Sequence, residues 1–250
     1  MGNNTVSIVM PAYQAASYVG EAIKSVQSQD MSDWELLVVD DGSTDKTAAI
    51  VMGYCDADSR VRLIRQENSG PAMARQAAIE VAKGRYIAFL DSDDYWLPEK
   101  LSRQLDFMRN TGAAITYTRF RRMNQDGSTL GHLIKIPDHI DYSGLLCNTA
   151  IATSTVIVDR YLTGPFRMTK TYYDDFVLWL DLLKRGCEAR GLQLDLMRYR
   201  VLGQSVSRNK TKSAKMVWRT YREIERLSPP VAAWCFAHYA LNAWRKYRNF

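Results

Sequence analysis

Three carboxylates stand within four residues, directly after an apolar run. The run is Tyr86–Leu90, and the acids that follow it are Asp91, Asp93 and Asp94. Crowded carboxylates repel one another and resist burial. A hard divalent cation relieves this repulsion, because such metals prefer oxygen ligands. A solvated acidic turn that caps the next helix is the alternative, and the motif alone leaves both interpretations open.

A second acidic pair, Asp40 and Asp41, follows the apolar run Trp34–Val39. A carboxylate at the end of a strand can accept the ring N–H of a pyrimidine or a ribose hydroxyl. Capping of the helix that begins near Thr44 is the alternative, and Ser43 could also do this. We favour a binding role for Asp41 over one for Asp40.

A third acidic pair, Asp174 and Asp175, begins a helical pattern. The helix dipole favours acids in the first turn for purely structural reasons. The same position keeps a carboxylate ionised, as a general base requires. Arg75 lies in an earlier helical pattern, where it could face phosphates, pair with an aspartate of the cluster, or simply lie on the surface. Composition does not decide these cases.

The first hundred residues alternate β-rich runs with helical patterns, which indicates βαβ units and a parallel sheet with helices on both faces. Because ligands bind outside the carboxyl ends of such strands, the polar residues after the first, second and fourth strands should open onto one crevice. The expected strands are Val6–Met10, Trp34–Val39, Val61–Ile64 and Tyr86–Leu90; the expected helices are Ser17–Ser28, Thr44–Tyr54 and Pro71–Ala82.

The second half of the chain predicts more helix and a hairpin around the turn 124–128. The expected strands are Ala113–Met123, Leu130–Ile136 and Thr153–Val158; the expected helices are Pro98–Met108, Asp174–Lys184, Thr211–Leu227 and Val231–Tyr247.

Bulk properties limit the classes of protein. The 250 residues, 46% of them hydrophobic, suffice for one large core. The four cysteines form no CxxC pair, which argues against a disulfide framework or zinc site and favours a reducing cytosol. We expect neither a signal peptide nor a membrane span. GxGxxG, P-loop and GxSxG motifs are missing from the sequence, which disfavours dinucleotide, P-loop and serine-hydrolase chemistry.

The net charge of +6 is unevenly distributed. Residues 198–250 hold twelve of the 33 lysines and arginines and two of the 27 acids, so the remainder of the chain is mildly acidic. A basic tail favours an anionic partner. Membrane surface, nucleic acid and anionic substrate are the candidates.

Four motifs in fixed order complete the pattern: VSIVMPAYQ, VVDDGSTD, QENSGPAMARQAAIEVAKGRYIAFLDSDDYW and YYDDFVLWLDLLKRG. Together they resemble family 2 glycosyltransferases, over about residues 5 to 200. The likeness is greatest to the enzymes of bacterial surface polysaccharides, of the teichuronic-acid and O-antigen type. The resemblance implies the GT-A fold, a mixed, mainly parallel α/β sheet with helices on both faces, followed by a helical C-terminal tail.

The resemblance also implies residue roles. Asp93 would bind Mn²⁺ or Mg²⁺ on the donor diphosphate with Asp91 in support, and Asp175 would be the general base of an inverting transfer. Asp94 would be the most dispensable acid of the cluster. The expected donor-site residues are Pro11, Ala12, Tyr13, Asp41, Arg75, Asp91 and Ser92, and the expected acceptor- or diphosphate-side residues are Asp174, Trp179, Arg208 and Lys210.

Three residues depart from the family pattern. Gln14 and Gln76 each replace an asparagine, and Asp174 replaces a glutamate. Each keeps its chemical group, so we interpret all three as tolerated.

The implied division is a catalytic domain, residues 1–205, with nucleotide-binding and acceptor halves of about 1–97 and 98–205, and a basic helical extension, residues 206–250. The implied partners are a UDP-sugar, a saccharide on undecaprenyl diphosphate, and an anionic membrane surface, without nucleic acid. The chain would then be cytoplasmic and peripheral on the inner face of the bacterial plasma membrane. Docking of the last helix on the catalytic domain is the alternative for the tail.

Two other functions remain possible at this point. A nucleotidyltransferase also places carboxylates and a metal at strand ends, but it usually carries a Gly-rich basic loop that Pro11–Ser17 lacks. A non-catalytic sugar- or nucleic-acid-binding module would fit the basic tail, but not the combined presence of Asp41, Asp93 and Asp175.

Overall fold

The computed structural model describes residues 6–148, 150–203 and 210–247. Among these residues the strands are β1 (Val6–Ala12), β2 (Trp34–Asp41), β3 (Val61–Gln66), β4 (Tyr86–Phe89), β5 (Tyr95–Trp96), β6 (Ile115–Met123), β7 (Leu130–Ile134), β8 (His139–Ile140), β9 (Ile157–Asp159) and β10 (Ala189–Arg200). The α-helices are α1 (Val19–Gln27), α2 (Thr47–Ala57), α3 (Pro71–Val81), α4 (Lys100–Thr111), α5 (Tyr142–Leu146), α6 (Arg160–Thr163), α7 (Asp174–Lys184), α8 (Lys210–Arg219) and α9 (Pro229–Tyr247). A 3₁₀ turn covers Thr153–Thr155 and a π-helical turn covers Thr220–Ile224.

One mixed sheet carries the fold, in the order β3-β2-β1-β4-β9-β6-β10-β5. The first four strands are parallel, as expected. Strand β9 is antiparallel to both β4 and β6, and β10 runs parallel to β6. The hairpin of β6 and β7 is also as expected. The short central strand β9 therefore joins the two halves of the sheet.

Both faces of β1, β2 and β4 are covered, which explains why these strands are mainly apolar at successive positions. Val9, Leu37 and Phe89 contribute to a core beneath α3 and α7. Ile8, Leu36 and Ala88 contribute to a second core beneath α1 and α4 on the other face. The carboxyl ends of β1, β2 and β4 consequently meet at one fixed edge.

The C-terminal helices dock on this body. Tyr221 and Tyr239 are buried, and the Tyr239 ring lies 6.2 Å from that of Phe176 on α7. The side-chain amide of Asn242 donates to the Cys147 carbonyl at 2.8 Å. The expected long helix 211–227 instead ends at Arg219 and continues as the π-helical turn. No helix in the described part of the chain is long and apolar enough to cross a membrane.

An ionisable side chain is buried in the second core. Lys100 is completely buried, its Nζ donates to Gln104 Oε1 at 2.9 Å, and it lies 4.0 Å from the centre of the Trp96 ring. The Gln104 amide donates in turn to Thr116 Oγ1 and the Thr155 carbonyl. Burial lowers the pKa of Lys100 well below its usual value. Folding therefore costs free energy wherever the unfolded chain still carries this charge.

Replacing Lys100 by methionine should raise the free energy of unfolding at pH 7, because the similar-sized side chain needs no desolvation of a charge. The gain should shrink as the pH approaches 10.5, the usual lysine value, since the unfolded wild-type chain then loses the same proton. Urea unfolding at pH 7, 9 and 10.5 measures this difference. The matched control is Lys46→Met at an exposed position, where the change should stay within about 0.5 kcal/mol at all three pH values. A destabilised Lys100→Met at pH 7 would contradict the expectation.

Candidate functional site

The edge formed by the carboxyl ends of β1, β2 and β4 is built by short loops that bond to one another. The register pairs Ala12 with Asp40, so Tyr13 and Asp41 follow at the same level. Gln14 has a φ of 50°, and its side-chain carbonyl accepts from the amides of Thr44 and Asp45 at 3.2 and 3.1 Å. Gln14, which replaces the asparagine of the family pattern, thus has a structural role, because its side chain holds the loop after β2 by these hydrogen bonds.

Asp41 is buried and holds the loop that precedes α3. Its Oδ1 accepts from Gln66 Nε2 at 2.7 Å and from the Ser69 amide at 2.8 Å, and its Oδ2 accepts from the Gly70 amide at 2.8 Å. A carboxylate oxygen has two lone pairs, so one acceptor position remains on Oδ2. Asp40 is fully buried, and its Oδ1 accepts from the Ser43 amide at 3.2 Å. The acid pair therefore fixes two loops of the edge, which the sequence did not reveal.

The loop held by Asp41 determines where Arg75 points. Gly70 has a φ of 93°, a conformation open to glycine, and Pro71 begins α3 directly after it. Arg75 lies one turn further along α3, is 7% exposed, and forms an ion pair with Asp91. Burial acts to lower the pKa of Arg75, but the charges of Asp91, Asp175 and Asp174 raise it above its usual value. Arg75 therefore pairs with Asp91 and also interacts electrostatically with the acids that begin α7.

The acids of the 91–94 cluster have unequal surroundings. Burial, and next the charge of Asp91, raise the pKa of Asp93 to about 6. Asp94 is 2% exposed, its Oδ1 accepts from the Arg200 amide at 2.9 Å, and burial raises its pKa well above the usual value. Asp94 thus anchors β10 from within the core, which contradicts the expectation that it is the most dispensable acid.

Asp175 faces the same centre from the start of α7. Its Oδ2 accepts from the hydroxyl of Thr153, and its Oδ1 accepts from the Phe176 amide at 2.8 Å. Asp174 bonds instead to the amide of Thr171, and burial raises its pKa. The two neighbours therefore differ: Asp175 turns towards the Thr153–Thr155 turn, whereas Asp174 holds the loop before the helix.

Arg200 is a residue of this site that sequence reasoning missed. It is 4% exposed, and its guanidinium donates to the carbonyls of Asp93 and Gln125 at 3.0 and 2.7 Å and to the carboxylate of Glu21. These contacts connect the acid cluster to α1 and to the β6–β7 hairpin. An arginine at the end of a long strand gave only a weak signal, because its partners lie 75 residues or more away in sequence.

Other expected residues lie elsewhere. Trp179 is 1% exposed and packs edge-on against Phe89, with ring centres 5.3 Å apart. The expected contact of Trp179 with an acceptor is therefore wrong, because its side chain lies in the core. It follows the acid pair by one helical turn, and that turn faces the core. The side chain of Ala12 is also buried, whereas Tyr13 is 53% exposed at the edge. Pro11 and Ser92 are buried, the first within β1 and the second inside the acid cluster.

The tail contacts the loop that precedes α7. Arg219 lies 3.8 Å above the Tyr172 ring and donates to its hydroxyl at 2.6 Å. Arg208 lies outside the described residues, as does the side chain of Lys210, so these two expectations are not tested. Gln76, the other amide departure, accepts from the Met168 amide at 2.8 Å. It supports the loop that leads to Asp174.

Asp91 and Asp93 are the residues that could hold a divalent cation. No cluster of three or more histidine, cysteine or acidic side chains suited to a metal occurs within the described ranges. Two carboxylates fit a cation of the Mg²⁺ type, which is usually bound by one or two carboxylates together with substrate phosphates. The buried Nε of Arg75 has no partner among the described residues, and it is a suitable donor to a phosphate oxygen beside the cation.

Sequence comparison identifies relatives along most of the chain. The sequence model of Glycosyl transferase family 2 matches residues 7–176. TuaG of Bacillus subtilis, named as a glycosyltransferase for teichuronic acid biosynthesis, is 44% identical over 243 residues, which cover 96% of each chain. WfgD of Escherichia coli, a UDP-Glc:α-D-GlcNAc-diphosphoundecaprenol β-1,3-glucosyltransferase, is 38% identical over 220 residues, or 87% of this chain and 85% of WfgD.

Structural comparison gives the same result for the fold. The crystal structure of S. aureus TarS residues 1–349 in complex with UDP-GlcNAc superposes with a TM-score of 0.72, at 17% identity, covering 96% of this chain and 73% of that one. The expected GT-A fold is thereby confirmed, and the nucleotidyltransferase and the non-catalytic binding module are set aside. With 170 matched residues between positions 7 and 176, the chain belongs to glycosyltransferase family 2.

Proposed function

We propose that this glycosyltransferase moves a sugar from a UDP-sugar to a saccharide carried on a lipid diphosphate, with inversion and with the help of Mn²⁺ or Mg²⁺. The observation that carries the proposal is the position of Arg75. Its guanidinium pairs with Asp91 and is also stabilised by the charge of Asp175. One buried cation thus interacts both with a carboxylate pair suited to a diphosphate-bound metal and with a carboxylate suited to deprotonate an acceptor.

The donor side is supported by groups that suit a nucleoside diphosphate. Asp41 retains one acceptor position, and exposed Tyr13 lies beside it at the sheet edge. Arg75 offers N–H groups to phosphate oxygens, and Asp91 and Asp93 would hold the metal. When bound, the metal would neutralise charge on the leaving diphosphate as a Lewis acid. The UDP-glucose named for WfgD is the first donor to test.

The acceptor side is supported by the surroundings of Asp175. Thr153 and the Phe176 amide hold its carboxylate in one orientation. From there Asp175 would take the proton of the acceptor hydroxyl while that oxygen attacks the anomeric carbon opposite the leaving diphosphate. Asp174 would keep the loop before α7 in place through Thr171. Attack from the opposite face would convert an α-linked donor into a β-glycoside.

The outer face of α9 supports contact with a membrane surface. Trp234 and Trp244 are 66% and 57% exposed, and Val231 and Leu241 lie on the same side of the helix. Lys215 of α8 is also exposed, and basic residues near an anionic surface each contribute about 1 kcal/mol. Tyr239, on the inner face of α9, is buried in the core. The proposed contact is therefore limited to the outer residues of α9.

Removing the Asp93 carboxylate should weaken the binding of UDP together with Mn²⁺. Asp93→Asn keeps the size of the side chain but removes the charge that would neutralise the cation, so we expect at least about a tenfold increase in Kd. Isothermal calorimetry with UDP and Mn²⁺ measures this change. Asp106→Asn, at an exposed position of α4, is the matched control and should bind as wild type does. Equal affinities of wild type and Asp93→Asn would contradict the metal assignment.

Removing the Asp175 carboxylate should stop transfer without loss of donor binding. Asp175→Asn keeps an acceptor for Thr153 but no longer takes a proton, so kcat should fall by about 10²- to 10⁴-fold. The measurement is UDP release from UDP-glucose with an α-GlcNAc-diphosphate lipid as acceptor. Asp181→Asn, half-exposed on the same helix, should retain activity. Full activity of Asp175→Asn would show that another group is the base.

Flotation with vesicles containing phosphatidylglycerol tests the membrane contact. Deleting the tail would expose the core around Tyr221 and Tyr239, so surface substitutions are the better test. Trp234→Ser with Trp244→Ser should reduce the bound fraction at low salt by about tenfold, because two large side chains lose their burial. Tyr161→Ser with Leu162→Ser on exposed α6 is the control. An unchanged bound fraction in the tryptophan variant would exclude α9 as the contact.

A further inference from the structure

The buried turn Thr153–Thr155 lies between the donor-side and acceptor-side acids. Its three residues are 7%, 2% and 0% exposed. The turn closes on itself, because the Thr155 amide donates to the Ala152 carbonyl at 2.9 Å and the Val156 amide to the Thr153 carbonyl at 3.0 Å. Three buried hydroxyl residues in succession are unusual unless their hydroxyls or carbonyls have partners.

The first residue of the turn bonds to the acceptor side. The Thr153 hydroxyl donates to Oδ2 of Asp175. The other oxygen, Oδ1, accepts from the Phe176 amide at 2.8 Å, so the two donors hold the carboxylate at both oxygens. Thr153 therefore limits rotation of the Asp175 side chain and directs its remaining lone pairs.

The second residue of the turn bonds to the donor side, at both ends of the acid cluster. The Asp91 amide donates to Ser154 Oγ at 3.1 Å. The indole N–H of Trp96 donates to the Ser154 carbonyl at 2.7 Å. A single residue thus fixes the beginning and the end of the 91–96 segment.

The turn has a rigid base. The side-chain amide of Gln104 donates to the Thr155 carbonyl at 2.9 Å. The chain then enters the centre of the sheet, where the Phe89 amide donates to the Val156 carbonyl at 3.2 Å and Ile157 pairs with Ala88. The support of the turn is therefore the same strand, β4, that delivers Asp91.

We infer that the Thr153–Thr155 turn sets the spacing between the metal-binding acids and the general base, with Thr153 a positioning residue for Asp175 and Ser154 a positioning residue for Asp91. This inference rests on the proposed function, since it relates the turn to the donor side and the acceptor side of that reaction. The two residues of the turn have different roles. Thr153 acts on the transfer step through the base, and Ser154 acts on donor binding through the metal loop.

The test uses isosteric substitutions on the full chain. Thr153→Val removes the donor to Asp175, so kcat should fall at least tenfold while Kd for UDP with Mn²⁺ stays within twofold of wild type. Thr153→Ser restores the hydroxyl and should recover at least half of kcat. Ser154→Ala removes the acceptor for the Asp91 amide, so it should raise that Kd and the KM for UDP-glucose at least fivefold.

Thr118→Val provides the matched control for loss of a buried hydroxyl. Thr118 is 1% exposed on β6, and its Oγ1 has no partner among the described residues. This variant should keep kcat, KM and Kd within twofold of wild type. Calorimetric unfolding of each variant verifies that the chain remains folded.

Three results would overturn the inference. Thr153→Val with kcat within twofold of wild type would remove the role of Thr153. Equal losses of kcat and UDP affinity in both Thr153→Val and Ser154→Ala would show a general structural effect instead of two separate roles. A wild-type chain that binds UDP but transfers from no UDP-sugar would overturn the proposed function, and the inference with it. That last outcome is distinguishable because it is already evident before any substitution.

Discussion

Repulsion between carboxylates is the constraint on which the site depends. Asp91, Asp93 and Asp94 follow a buried strand, and two of the three have pKa values raised by burial. The chain offsets this cost with buried arginines, Arg75 on one side and Arg200 on the other. Neither arginine is a surface residue that happens to be nearby, since both are less than a tenth exposed. Removing Arg75 would leave Asp91 without its ion-pair partner and would leave the repulsion within the acid cluster less compensated.

The fold of the first half could be predicted because local pattern determines it. Strands β1, β2 and β4 are mainly apolar runs that are covered on both faces, and α3 and α7 begin and end within a residue or so of their predicted bounds. Strand β9 overlaps the predicted strand Thr153–Val158, but the first three residues of that run form the 3₁₀ turn instead, because so short a strand carries almost no periodic signal to mark where it begins. Its pairing with β4 and β6 depends on contacts far apart in sequence.

The acids of the site could be found from the sequence, but their supports could not. Ser154 meets Asp91 across 63 residues, and Arg200 meets Asp94 across 106. Such pairs leave no local trace, since a serine or an arginine at either position is equally compatible with a surface strand. Trp179, which the resemblance placed on the acceptor side, packs against Phe89 in the core instead. Its position one turn after Asp175 did not indicate this, because that spacing places the two side chains on the same face of a helix.

The docking of the last helix has a consequence for how the molecule would meet a lipid. The inner face of α9 packs on Phe176, the residue that follows Asp175, and its outer face presents Trp234. Both faces belong to one rigid helix, so the distance from the outer tryptophan to the base is fixed by the core and cannot be adjusted by a linker. The helix would therefore fix the distance between the membrane surface and Asp175. An acceptor would then be selected by the height of its sugar above the bilayer as well as by the identity of that sugar.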